Sequence, residues 1–195
     1  ISPMRTRALW SAQTWFSVGN RRRPEGIYFW IFTPFAVAVS LYVISAATIY
    51  IIEPWKLAVL FFAGMAALAF LTTGATPNSR IDRPSIPDMA LALVSIIIGI
   101  YFASIAPEVE RRIALLDPLT NWDIFFGTMT FLLTVEITRR TTGLGLTALV
   151  LIFVVYNLFG HNLSGVLQHG LITYDHFIEI TVFTTDGIFG VPLRV

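Results

Sequence analysis

The chain has no cysteine, and that one absence excludes a disulfide framework, a thiolate metal site and a cysteine nucleophile. Histidine is nearly as scarce. Its three copies, His161, His169 and His176, all follow the last long apolar run, so no imidazole lies within such a run to ligate haem or a metal between facing helices. Charge is thin as well: 13% of the residues are Asp, Glu, Lys or Arg, against roughly 25% in an average soluble domain. The formal net charge of +1 offers no broad basic field, so nucleic acid is not an expected partner.

The missing charge is concentrated in four gaps: Glu25 to Glu53, Lys56 to Arg80, Asp88 to Glu108 and Arg140 to Asp175 contain none between their ends. About 20 apolar residues rising about 1.5 Å each span a hydrocarbon core of about 30 Å. Together with 55% hydrophobic residues and a mean hydropathy of +0.73, the gaps indicate an all-α integral membrane protein. Crossings are expected from about Ile27 to Ile52, Trp55 to Thr73, Asp88 to Ala106, Trp122 to Thr138 and Gly143 to Phe159, about five in all. Pro34 is a candidate kink in the first. The short Glu53-Pro54 link makes the first two a helical hairpin, and Pro77, Pro84 and Pro87 break the chain before the third.

The leader from Ile1 to Gly26 carries Arg5, Arg7 and the run Arg21 to Arg23. Polar residues interrupt it too often for a secretory signal, and Trp10 and Trp15 suit an N-terminal interfacial helix. If the crossings alternate, Arg21 to Arg23, Arg80 with Arg83, and Arg139 with Arg140 share one side, opposite Lys56, Arg111 and Arg112. The positive-inside rule makes the first side cytoplasmic. His161 to Ile172 then lies outside the cytoplasm. An amphipathic C-terminal segment follows, with Tyr174, Phe177, Ile178, Ile180 and Phe183 on its apolar face and Asp175 and Glu179 on a solvated one.

Within a bilayer the informative residues are ionisable groups at depth. Glu136 is the clearest, and it stands three and four positions before Arg139 and Arg140, so an ion pair along one helix face explains it. Glu108 with Glu110, and Asp175 with Glu179, read as solvated carboxylates rather than as an acid and base pair. Small residues such as Ala46-Ala47, Gly64 with Ala67, and Gly99 with Ala103 allow close helix approach. The sequon Asn162-Leu163-Ser164 is a pattern without expected use. No catalytic residue and no metal ligand emerges.

The run Glu136-Ile137-Thr138-Arg139-Arg140-Thr141-Thr142-Gly143 continues through Tyr156, Gly160, Gly165 and His169-Gly170 to Thr185-Asp186-Gly187-Ile188-Phe189-Gly190-Val191-Pro192-Leu193. As a set it resembles the fused-permease TRAP transporters, at the join between their small and large membrane domains, with Glu136, Arg139, Arg140, Gly143, Gly187, Phe189, Gly190 and Pro192 as motif residues. A weaker similarity covers Trp55 to Ala106. The resemblance implies a tripartite, ATP-independent transporter of the bacterial inner membrane, multi-pass with a cytoplasmic N-terminus. A periplasmic binding protein, commonly of the TAXI type, would deliver a small organic-acid substrate.

It divides the chain into a leader (1–26), a four-helix small membrane domain (27–140), a linking crossing with its extracytoplasmic loop (141–172) and the start of the large transport domain (173–195). The rest of that domain, with substrate and coupling-cation sites for sodium or a proton, would follow Val195 or be a separate subunit. No cofactor and no substrate-binding residue is therefore carried over to this chain. Expected partners are the large domain, the binding protein and membrane lipid. An anchor subunit of a redox or other membrane enzyme is the alternative.

Overall fold

The computed structural model describes residues 18–23, 26–48, 53–184, 186–190 and 193. Five helices carry most of them: α1 (Ile27–Thr48), α2 (Pro54–Thr72), α3 (Ile86–Arg111), α4 (Asn121–Thr142) and α5 (Leu144–Phe159). A short α6 (Tyr174–Ile178) runs directly into a π-helical turn, Glu179–Phe183. The regular elements among the described residues are helical, and their β content is one isolated bridge between Arg21 and Thr73.

The helix boundaries have local causes. Pro54 opens α2 at a position whose N–H would have no intrahelical partner. At the start of α3 the backbone N–H and hydroxyl of Ser85 both donate to the Asp88 carboxylate, at 3.1 and 2.5 Å. At the start of α4 Thr120 and Asp123 cap each other: Thr120 N–H to Asp123 Oδ2 is 2.9 Å, and Asp123 N–H to Thr120 Oγ1 is 3.2 Å. One residue, Gly143 at φ +82°, separates α4 from α5, a conformation in which a side chain would be strained.

Among the described residues four helical stretches, α1, α2, α3 and α5 with the turn that continues it to Asn162, are long and apolar enough to cross a membrane, the make-up of a multi-pass membrane protein. α4 also has 22 residues, but it carries Asp123, Glu136, Arg139 and Arg140 and is the most polar of the five long helices. Two helices are longer than the apolar runs predict. α3 continues past Ala106 through Pro107 to Arg111, although the proline gives up one N–H bond of the ladder. α4 continues past Thr138 to Thr142, since its terminal arginines find partners there. α1 passes Pro34 without a break.

Helices α2 and α3 form the antiparallel centre. Their contact is close because Gly99 faces Ala63, and Gly64 likewise lets α1 approach, with Val39 Cγ2 2.7 Å from where a β-carbon would stand. Val59, Ala67, Phe70, Ile98, Phe102 and Ala106 are buried along the α2–α3 seam. α4 packs against this pair, and α6 with its π-turn packs on α4, where Gly127 meets Ile178.

The expected interfacial helix of the leader, with Trp10 and Trp15, falls on residues 1–17, outside the described residues. Residues 18–23 run extended, because their backbone groups are taken up across the chain: Gly19 N–H by the Arg140 carbonyl at 2.9 Å, Arg22 N–H by Thr72 at 2.7 Å, Arg23 N–H by Ile81 at 3.1 Å. The solvated reading of Glu179 is overturned. Glu179 is buried at 7% exposure and accepts the Leu115 N–H at 3.0 Å and an Arg112 N–H at 3.3 Å, while Asp175 is exposed as expected.

Candidate functional site

Three helix ends and the extended leader meet at one end of the bundle, where α2 finishes, α3 begins and α4 finishes. Helix ends carry unpaired backbone groups and opposite partial charges, so each attracts a different kind of side chain. The last carbonyls of α2 draw two arginines. Arg22 Nη1 donates to Phe70 O at 3.1 Å and Leu71 O at 3.2 Å, and Arg140 Nη1 donates to Thr73 O at 3.2 Å. The first turn of α3 presents the carboxylate Asp88, which the same arginines grip from two sides. Arg140 Nη1 reaches Oδ1 at 2.6 Å, and Arg22 Nη2 is paired with Oδ2.

Asp88 is 1% exposed, Arg140 3% and Arg22 4%, so the ion pairs are almost fully withdrawn from solvent. Buried charges persist only when paired and hydrogen-bonded, and here most of the remaining donors are used as well. Arg22 Nε donates to Arg80 O at 3.1 Å, and the Arg140 guanidinium lies 5.0 Å from the centre of the Phe70 ring.

Glu136 extends the array along α4. It accepts from Arg139 Nε and Nη2, both at 2.8 Å, and from Arg140 Nε at 2.7 Å, so the expected ion pairs within α4 are present. Arg139 also reaches Ala75 O at 3.1 Å. Among the described residues the cluster holds three guanidinium groups against two carboxylates. Chemically this is a clasp. Arginine does not release its proton at accessible pH, and both carboxylates are occupied by donors, which suits holding helices in register rather than moving protons.

The structure divides the motif residues. Glu136, Arg139 and Arg140 are in the clasp, and Gly143 stands beside it between α4 and α5. Phe189, 2% exposed, lies at the far end among Trp55, Phe62 and Phe102, with ring centroids 5.3 to 5.8 Å away. Gly187 and Gly190 form the turns around it, and Pro192 lies outside the described residues. Arg22 and Asp88 were not singled out by sequence reasoning. Arg22 is hidden in a basic run that reads as a topology signal. Asp88 marks a crossing boundary, though Ser85 three residues earlier carries a legible capping signal.

Two further features lie apart from the clasp. A groove of about 450 Å³ opens between α4, α5 and the C-terminal segment, lined by Phe131, Thr134, Thr138, Thr147, Phe153 and Phe177 among others. The hydroxyls of Thr134, Thr138 and Thr147 all donate to carbonyls four residues back, leaving the groove largely apolar. In the loop after α5, His169 Nε2 meets Tyr156 O at 3.0 Å and Nδ1 meets Gly170 O at 2.6 Å. The Tyr156 carbonyl first, and Gly170 with it, favour a ring that donates at both nitrogens, and so raise the His169 pKa above its ordinary value. Among the described residues no three His, Asp or Glu side chains gather as a metal site. The chain matches no family model, no curated protein and no solved structure.

Proposed function

We propose that this chain is the small membrane domain of a TRAP-type transporter. It is the fixed scaffold against which a larger transport domain carries a small organic acid, delivered by a periplasmic binding protein and driven by a sodium or proton gradient. In this reading α4 is a fifth crossing. The N-terminus is cytoplasmic in the bacterial inner membrane, and the segment after α5 begins the transport domain.

The observation that carries the proposal is where the family-like residues stand. Glu136, Arg139 and Arg140 tie together α2, α3, α4 and the leader, and Phe189 locks the C-terminal segment onto α2 and α3. A scaffold for a moving partner must resist shear, and the clasp at one end of the central helices supplies that, while the ring contacts keep the C-terminal segment attached at the other. The basic residues Arg22, Arg80 and Arg140 meet at one end, which supports the orientation assigned by the positive-inside rule. The outer helices leave wide apolar surface for lipid or a partner, with Trp30 76% exposed on α1 and Ile152 64% on α5.

The test is purification of the native gene product from its own membranes, with its mass compared with the 21.8 kDa of these residues. Either a longer polypeptide or stable association with a large multi-pass subunit is expected. Reconstituted vesicles should then take up substrate only with the binding protein and an imposed cation gradient. A chain that isolates alone, and whose loss leaves uptake unchanged, overturns the proposal.

A further inference from the structure

At the end of the bundle opposite the clasp, the first turn of α2 and the last turn of α3 flank a second cavity, of about 490 Å³. Its walls mix apolar and charged groups: Trp55, Val109 and Phe183 beside Glu110 and Arg112. Among the described residues two buried polar atoms at this end of α2 have no hydrogen-bond partner. Trp55 is only 8% exposed and lines the cavity, yet its indole Nε1–H donates to nothing. Glu53, the residue that caps α2, keeps its Oε2 buried and without a donor. Buried polar atoms in folded proteins are rarely left unpaired, so an orphan donor and an orphan acceptor two residues apart at one helix end point to a ligand that has both functions.

The charges restrict that ligand further. Arg112 uses Nη2 for Asp117 O and for Glu179, and among the described residues its Nη1 and Nε meet no acceptor. Its charge is already opposed by Glu179, Glu110 lines the cavity and Glu53 directly precedes the lining residue Pro54, so a dianion is disfavoured. A single anionic oxygen is welcome, because Trp55 Nε1, the free side of Arg112 and the positive end of the α2 dipole all favour one. The acidic groups then call for a cation that can donate an N–H. A primary ammonium does so, whereas a quaternary ammonium has no hydrogen to give.

We propose that this cavity binds the headgroup of a zwitterionic phospholipid carrying a primary ammonium. The phosphodiester accepts from Trp55 and Arg112, and the ammonium donates to Glu53 and Glu110. The site lies where the crossings α2 and α3 reach the same membrane face, so the headgroup approaches it from the plane of the bilayer. The proposal rests on the membrane-spanning character of the chain and not on the transporter reading.

The experiment is native mass spectrometry of the purified chain in detergent, with phosphatidylethanolamine, phosphatidylcholine and phosphatidylglycerol supplied at equal concentration. The ethanolamine lipid should be retained about three- to tenfold over the choline lipid, the weight of one hydrogen bond. Trp55→Phe keeps a ring among Phe102, Phe183 and Phe189 and should lower retention of all phospholipids by a similar factor. Glu53→Gln, a change outside the aromatic packing, should bring ethanolamine and choline lipids together even if the tryptophan variant fails to fold. Equal retention of the three lipids by the unaltered chain overturns the proposal, as does preference for phosphatidylglycerol. Competition by soluble glycerophosphoethanolamine as effective as the lipid itself would reassign the site to a free phosphodiester and overturn the lipid assignment.

Discussion

The two ends of α2 are held by opposite physics. At its C-terminal end the backbone carbonyls, Asp88 and the arginines satisfy one another almost completely. At its N-terminal end the contacts are rings, with Trp55 packed edge-on against Phe102 and Phe189 and stacked at 6.4 Å on Phe183, while an indole N–H and a carboxylate oxygen go unpaired. A charged cluster with fixed directions tolerates one arrangement only, whereas ring contacts slide at small cost. One end is therefore a rigid joint and the other an adaptable one.

Removing the shared carboxylate should show the contrast most strongly. Asp88→Asn leaves Arg22 and Arg140 buried with half their counter-charge, and a loss of about 3–5 kcal/mol is expected from breaking a buried pair on one side. Thermal unfolding in detergent reads it, and a shift no larger than that of an exposed control such as Asp82→Asn would contradict the clasp. At the other end, Phe102→Ala opens a void among four rings. In an apolar solvent mainly the cavity part of the penalty survives, so about 2 kcal/mol is expected, and a larger effect than that of Asp88→Asn would reverse the comparison.

Glu179→Gln is smaller again. It weakens the hold on Arg112 and on the N–H of Leu115, a leucine at φ +68°, and should cost about 1–2 kcal/mol while raising hydrogen exchange at the Leu115 amide. The least effect concerns pH. His169 has a raised pKa when folded, so its contribution to loop order is complete below the unfolded value of about 6.5 and is lost as pH rises through the folded one. Exchange protection around residues 160–170 should fall over that interval, and His169→Gln should flatten the profile.

The crossings were legible because the absence of charge over a membrane thickness is a local property of the chain. α1, α2, α3 and α5 all coincide with such gaps. Within α4, the spacing of Glu136, Arg139 and Arg140 was equally local and their pairing could be read. Asp88 was not, because its meaning depends on Arg22, 66 residues away, and on Arg140, 52 residues away. Glu179 failed for the same reason: an amphipathic pattern assigns it to a polar face, and only the fold reveals that Arg112 and a left-handed leucine occupy that face. The extended run of residues 18–23 is dictated by carbonyls and amides of α2, the loop after it and the end of α4, which no propensity within the leader encodes.

Gly143 gives the clasp a mechanical reach. Because one residue joins α4 to α5, there is no slack between them, and any swing of α5 must be taken up by the two torsions of that glycine. Val18 Cγ2 stands 3.1 Å from where its β-carbon would be, and the neighbouring Gly19 is bonded to Arg140 O. A torque applied to α5 by whatever packs against its bare flank is thus delivered not into a flexible loop but straight onto the leader and the arginine that grips Asp88.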